Sequence, residues 1–275
     1  MYEEPHRWVE AVANRRQYLD DQFKQGSPIV ALSYAEGILL LTFSRGTPKV
    51  YEVYDRIAMG GMGHPADLEK LRFQVLDMAH LEGFNRSPSD VTGARLLKYG
   101  LAPTVKQAFE EIFKAPFIVK ILLAELVRTM ERDQFISVDY DGTFEEASTC
   151  AILAGSSSIQ LKLLDYLKER IGETPPSLEA AVDMAMKTWA MGSLLHQSNS
   201  ADPHINEERK DNEDWAEPVK ECDEEEIFSH LRQTVAQHTL ECCVLDRTLS
   251  RSSTYRPLSS AEIAKLLPST LQQAQ

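Results

Sequence analysis

Residues 26–43 read GSPIVALSYAEGILLLTF, and two features of that stretch decide how the rest of the chain is understood. Ile29 to Tyr34 and Ile38 to Phe43 are apolar runs joined by the short turn Ala35-Glu36-Gly37, the pattern of an antiparallel hairpin of buried strands. At the head of the hairpin stands Gly26-Ser27. A cut between these two residues gives Ser27 a free amine beside its hydroxyl, the arrangement of an N-terminal nucleophile whose own amine is the base. Nucleophile and plain first residue of a strand are both open from position alone.

Working outward, residues 3–24 read as a charged helix whose thin apolar face is Trp8, Val12 and Tyr18, with Pro5 suited to its first turn. A second strand pair is expected at Val50 to Tyr54 and Ile57 to Met59. The period then changes: Leu68, Leu71, Val75 and Met78 recur at helical spacing, as do Leu97, Leu101, Val105, Phe109 and Ile112, with Gly100 and Pro103 bending the second helix. Strands resume at Phe117 to Val127, Phe135 to Tyr140 and Thr149 to Ala154. Helices follow at Ser158 to Ile171 and Ser177 to Leu195, then strands at Leu240 to Leu245 and Thr254 to Leu258, and a short helix at Ser260 to Leu267. Strands and helices in blocks, rather than βαβ alternation, predict an α+β fold. Its natural form is a four-layer αββα sandwich of two antiparallel sheets flanked by helices.

The chain has 275 residues, 43% of them hydrophobic and 26% charged, with a formal net charge of −13. That charge argues against a nucleic-acid partner. It is concentrated: residues 201–226 hold twelve Asp or Glu against three Lys or Arg, a net of −9. One domain is expected over residues 1–275. Residues 1–25 form a tail and N-terminal helix, 26–195 and 239–275 form the sandwich, and 196–238 form an acidic insert. The insert ends in the helical stripe Ile227, Phe228, Leu231 and Val235, which predicts a solvated excursion with one docked helix; a partner-specific surface is the alternative. No apolar run approaches the ~20 residues that span a bilayer, and MYEEPHRWVE is not a signal peptide. The expectation is a cytoplasmic protein with no membrane partner and with reduced thiols at Cys150, Cys222, Cys242 and Cys243.

Other motifs fit structural roles. MGGMGHPAD, residues 59–67, reads as a glycine-rich loop from strand to helix, but it is neither GxGxxG nor a P-loop. Asp67 at the helix start also disfavours an anion. The histidines show no HExxH motif and no i, i+4 pair. Asp139-Tyr140-Asp141-Gly142 fits a turn with fewer assumptions than a cation site. Ser156-Ser157-Ser158 supplies helix-capping hydroxyls. No metal or cofactor is expected.

PIVALSYAEGILLL, PKVYEVYDRIAMGGMG, DVTGARL, ISVDYDGTFEE and LECCVLDRT follow one another in an order and spacing that resemble an α-type subunit of the bacterial 20S proteasome. That family has the αββα sandwich of the N-terminal-nucleophile hydrolases. The resemblance sets Ser27 at the catalytic threonine position of β subunits and Phe43 where they carry an acidic residue. Lys49 falls on their pKa-lowering lysine, after a shortened loop. The Asp-x-x-Ser-Gly element of active subunits has no counterpart near Met191-Gly192-Ser193-Leu194. These departures, with the patterned helix before Gly26, imply a degenerate nucleophile site at Ser27 and Phe43 and no peptidase activity. The alternatives are a self-compartmentalising peptidase maturing at Gly26-Ser27 and, more remotely, a small-molecule amidase. The resemblance further implies a homo-heptameric ring stacked on proteasome β subunits, with Met1, Tyr2, Glu3, Glu4 and Pro5 gating the entry of unfolded protein substrates; a frayed terminus is the alternative for that tail. It also implies a pocket for the C-terminal tail of a hexameric ATPase activator, with Lys49 pairing the carboxylate and Gly63 letting the tail backbone approach. A solvated strand-end lysine is the alternative for Lys49. The YDR…F-SPDGR gating motif of archaeal and eukaryotic α subunits is absent.

Overall fold

A computed structural model describes residues 4–127, 133–172, 174–201, 223–249 and 253–267. The quoted stretch is the hairpin it was expected to be. β1 (Ile29–Tyr34) and β2 (Gly37–Ser44) pair antiparallel from Ile29↔Thr42 to Tyr34↔Gly37. β8 (Cys150–Leu153), β9 (Thr239–Asp246) and β10 (Tyr255–Pro257) complete one sheet in the order β10-β9-β2-β1-β8. The second sheet runs β3-β4-β5-β6-β7: β3 (Val50–Tyr54), β4 (Ile57–Gly63), β5 (Val119–Glu125), β6 (Gln134–Val138) and β7 (Phe144–Ala147). Every neighbouring pair in both sheets is antiparallel.

Side-chain alternation builds the layers. Ile29, Ala31, Ile38 and Leu40 face the second sheet and meet Ala58, Leu122, Ala124 and Phe135. Val30, Leu32, Leu39, Leu41 and Phe43 face the other way, onto α5 (Ser157–Ile171), α6 (Leu178–Ala201) and α7 (Glu224–Gln237). On the far side, Ile57, Met59, Ile121 and Leu123 receive α2 (Pro65–Asn85), the short α3 (Gly93–Leu96) and α4 (Ala102–Glu110). The four layers are helices, sheet, sheet and helices, the expected αββα arrangement. α7 docks through Ile227 and Leu231, so the apolar stripe before residue 238 forms its helix. α6 continues to Ala201, into the stretch expected to be insert.

Local expectations needed correction in four places. The helix expected over Leu97 to Ile112 is broken by a π-helical turn at Leu97–Leu101 and ends at Glu110, which leaves Ile112 outside it and exposed. The disruption is at Gly100 and just before Pro103, whose missing N–H and ring favour such an irregularity. The expected glycine-rich loop is mostly strand: β4 runs through Gly60, Gly61 and Gly63 before Pro65 opens α2. A Cβ on Gly61 would lie 2.1 Å from Leu68 Cδ1, so the glycine is there to let α2 close on the sheet. β7 was hidden because all four of its residues are exposed, an edge strand without the alternation that betrays a half-buried one. Finally, Trp8 and Tyr18 of α1 (Glu4–Phe23) are about half exposed, and the face that α1 buries is Leu19 and Phe23, with Val12 beside them. Arg15 fastens the same helix: its guanidinium donates to the carbonyls of Ala108, Phe109, Glu111, Ile112 and Lys114, where α4 ends. A cation on those orphan carbonyls also complements the C-terminal dipole.

Candidate functional site

Ser27 lies between α1 and β1, and both sides of it are tied down. The Gly26 N–H donates to Phe23 O at 2.8 Å, and Phe23 is buried in the inter-sheet core. The Ser27 hydroxyl donates to Phe43 O at 2.8 Å and accepts from Trp189 Nε1 at 3.0 Å. The Phe43 ring turns into the helix layer and packs on Trp189, with centroids 4.4 Å apart. The position expected to lack an acid therefore presents a carbonyl oxygen to the hydroxyl instead of a carboxylate.

Lys49 reaches the same carbonyl, with Nζ 3.3 Å from Phe43 O. Serine hydroxyl and lysine ammonium thus converge on one acceptor. The Lys49 backbone is pinned by Glu241, whose Oε2 accepts from Lys49 N at 2.8 Å and Val50 N at 3.2 Å. Burial pushes the Lys49 ammonium down to about 8; the Glu241 charge opposes that shift and the Arg45 charge adds to it. Lys49 is half-buried, with its ammonium turned onto a backbone carbonyl.

Gly63 closes β4 opposite Val119 and is solvent-exposed. Gly61 N donates to Lys49 O, so Gly63 lies two residues beyond the position that faces Lys49 on the adjacent strand. Its φ is +132°, and a Cβ there would sit 1.9 Å from Ile118 O. Backbone packing alone requires a glycine. Of the expected gate residues, Met1, Tyr2 and Glu3 lie outside the described residues, and Glu4 and Pro5 open α1.

The remaining motifs take the structural roles expected of them. Ser156 caps α5 by accepting from Ile159 N. Asp141 Oδ1 accepts from Thr143 in a turn that Gly142 completes at φ +83°. Asp67 accepts from Ile118 N, which ties α2 to β5. Trp189, Glu241 and Arg45 were not singled out from the sequence; only the apolar periodicity of α6 and the alternation of β9 mark the first two.

Residues 23–196 match the sequence profile of the family described as "Proteasome subunit", which covers well over half of the chain. The chain belongs to the proteasome subunit family. It is similar to bacterial proteins named "Proteasome subunit alpha": 32% identical over 182 residues to that of Actinosynnema mirum, covering 66% of this chain and 67% of the relative. Identity is 28% over 256 residues to that of a Nocardioides species, covering 92% and 84%. It is also 28% over 259 residues to that of Kineococcus radiotolerans, covering 94% of both chains. Among the described residues no helix is long and apolar enough to cross a membrane.

Proposed function

We propose that this chain is a non-catalytic α subunit of a cytoplasmic bacterial 20S proteasome. Seven copies form an outer ring that restricts entry of unfolded protein to a peptidase β ring and docks a hexameric ATPase. Residues Met1, Tyr2, Glu3, Glu4 and Pro5 serve as the gate, and Lys49 captures the carboxylate of the ATPase tail beside Gly63. The observation that carries the reading is the state of Ser27. Its hydroxyl is spent on Phe43 O, and the helix before it is part of the core. An N-terminal nucleophile needs the opposite on each count.

The test is co-expression with a β-type partner, followed by intact-mass measurement and peptidase assays with and without the ATPase. The expected result is an uncut Gly26–Ser27 bond, and ATPase stimulation that Lys49→Ala abolishes while assembly persists. A fragment beginning at Ser27 would sink the non-catalytic reading, and undiminished stimulation of the Lys49→Ala particle would sink the docking assignment.

Tail capture should also depend on pH in a defined direction. Lys49 attracts a carboxylate only when protonated, so binding is at full strength below about pH 8. Above that it weakens by up to about tenfold per pH unit, until the pKa of the bound ion pair is reached. Lys49→Arg, which stays charged, should flatten the profile; a wild-type profile flat to pH 10 would show that the Lys49 ammonium is not held down in the assembled particle, and the Lys49→Ala variant then decides whether it captures the tail.

A further inference from the structure

The loop that carries Lys49 holds a second cation. Ser44 ends β2 and Val50 begins β3, so Arg45 and Lys49 stand at opposite ends of one tight connection turned by Gly46 at φ +111°. Arg45 lines a cavity of about 510 Å³ together with Ser44, Gly46, Gln237, His238 and Thr239. It is held there by one hydrogen bond, Nε to His238 Nε2 at 3.1 Å. Because Nε2 accepts, the imidazole proton is on Nδ1, and that nitrogen is buried without a partner. An unsatisfied buried N–H is costly, and here it accompanies the anchoring of an otherwise exposed guanidinium.

The charge around this loop is unbalanced. Among the described residues neither Arg45 nor Lys49 forms an ion pair, whereas the buried or half-buried cations Arg56, Arg95, Lys120 and Arg247 each have a carboxylate. The charges facing Lys49 are Arg45, which makes its protonation harder, and Glu241, which makes it easier. Among the described residues Glu241 forms an ion pair with neither cation: Oε2 accepts from the Lys49 and Val50 amides, and Oε1 is buried without a hydrogen bond. Two cations on one short loop, with Glu241 as the carboxylate acting on Lys49, leave a net positive charge beside the open cavity that Arg45 lines. An anion seated between them relieves the repulsion and gains charge-assisted hydrogen bonds from both.

We propose that Arg45, positioned by His238, is the second arm of the carboxylate-capture site, and that an incoming peptide C-terminus is held between Arg45 and Lys49. This rests on the docking role proposed for Lys49. The chemistry is that of a chain-terminal carboxylate on a fork and a point charge, with Arg45 supplying geometry and Lys49 supplying charge. His238 acts only through Arg45.

The test uses the assembled particle and a fluorescein-labelled Gly-Ala-Ala-Leu peptide with a free carboxylate, its C-terminal amide as control, and fluorescence anisotropy as readout. Arg45→Ala should weaken binding of the free-acid peptide about tenfold, Arg45→Lys should recover part of that loss, and the amide should bind no better than about tenfold more weakly than the acid. His238→Ala should weaken binding about threefold, and adding it to Arg45→Ala should cost nothing more, the non-additivity of residues that act as one unit. Unchanged binding in Arg45→Ala with loss in Lys49→Ala overturns the second arm and leaves docking standing. Unchanged binding in both variants, or none by the wild type, overturns both. Equal binding of the amide, or equal displacement by inorganic phosphate, overturns the assignment to a peptide carboxylate.

Discussion

Gly63→Ala should lower the folding stability of this chain by about 3 kcal/mol or more, the range of forced backbone strain combined with a steric clash. Two costs add. At φ +132° an L side chain is strained wherever it has room. Here there is no room, because the new Cβ would stand 1.9 Å from Ile118 O and 3.0 Å from Val119 Cα. Those are backbone atoms of the neighbouring strand, and Ile118 O already accepts from His64 N, so neither can swing aside as a side-chain tip would. Relief requires opening the Gly63↔Val119 end of the β4–β5 ladder, from which α2 departs. Gly46→Ala is the internal control: its φ is +111°, but nothing lies within 4 Å of the added Cβ, so it should cost only the backbone term of about 1 kcal/mol. Urea denaturation of the two variants beside wild type measures the difference. Equal losses would show that the sheet accommodates the methyl, and would leave a close-approaching peptide as the reason for glycine at this position. With the expected result, a Gly63 variant that fails to respond to an ATPase reports on the sheet and not on the tail.

The difference between what was legible in the sequence and what was not follows the range of the interactions. The hairpin of the opening stretch, the alternation of β6 and the helical periods of α2, α5 and α6 are local signals, and they placed both sheets and three of the helix layers' main members. β4 was cut short because its glycines look like loop punctuation, although each is set by an approach from another element: Leu68 for Gly61, and β5 for Gly63. The buried face of α1 was misjudged for the same kind of reason. Large aromatics suggested the apolar side, but Leu19 and Phe23 fit the end of the inter-sheet core, and Trp8 and Tyr18 do not. At the site, Ser27 stood out by its position at the head of the hairpin, and Phe43 and Lys49 were singled out by the resemblance to proteasome subunits, followed along that hairpin and the loop after it. Their partners come from far away: Trp189 is 162 residues from Ser27, Glu241 is 192 from Lys49, and His238 is 193 from Arg45. A single sequence carries no signal for such pairings beyond an apolar period or a strand alternation.

Trp189 closes over both Ser27 and Phe43, and Trp189→Ala should destabilise the chain by about 3–5 kcal/mol, the cost of emptying a buried aromatic position. The side chain is 4% exposed, with Phe43 tilted against one part of the ring and His230 stacked at 6.0 Å on another. Its Nε1 is the donor to Ser27, so truncation also strips the hydroxyl of one of its two bonds. Trp189→Phe keeps most of the packing and loses only that bond, for about 1 kcal/mol. A second readout separates packing from the hydrogen bond. His230 is held below its ordinary pKa of 6.5, first by burial and then by the nearby His238. The unfolded chain therefore binds more protons than the folded one between the lowered value and 6.5, and stability falls as pH falls through that window. Removing the indole opens His230 to water, so in Trp189→Ala its titration should move back toward 6.5 and its share of the acid-side loss should shrink. In Trp189→Phe, with the imidazole still covered, the titration should stay close to that of wild type. Urea midpoints between pH 5 and 8, with the His230 ring followed by NMR, measure both effects. An alanine variant within about 1 kcal/mol of wild type, or an unmoved His230, would mean that the site is kept by the hairpin alone and that the indole merely covers it.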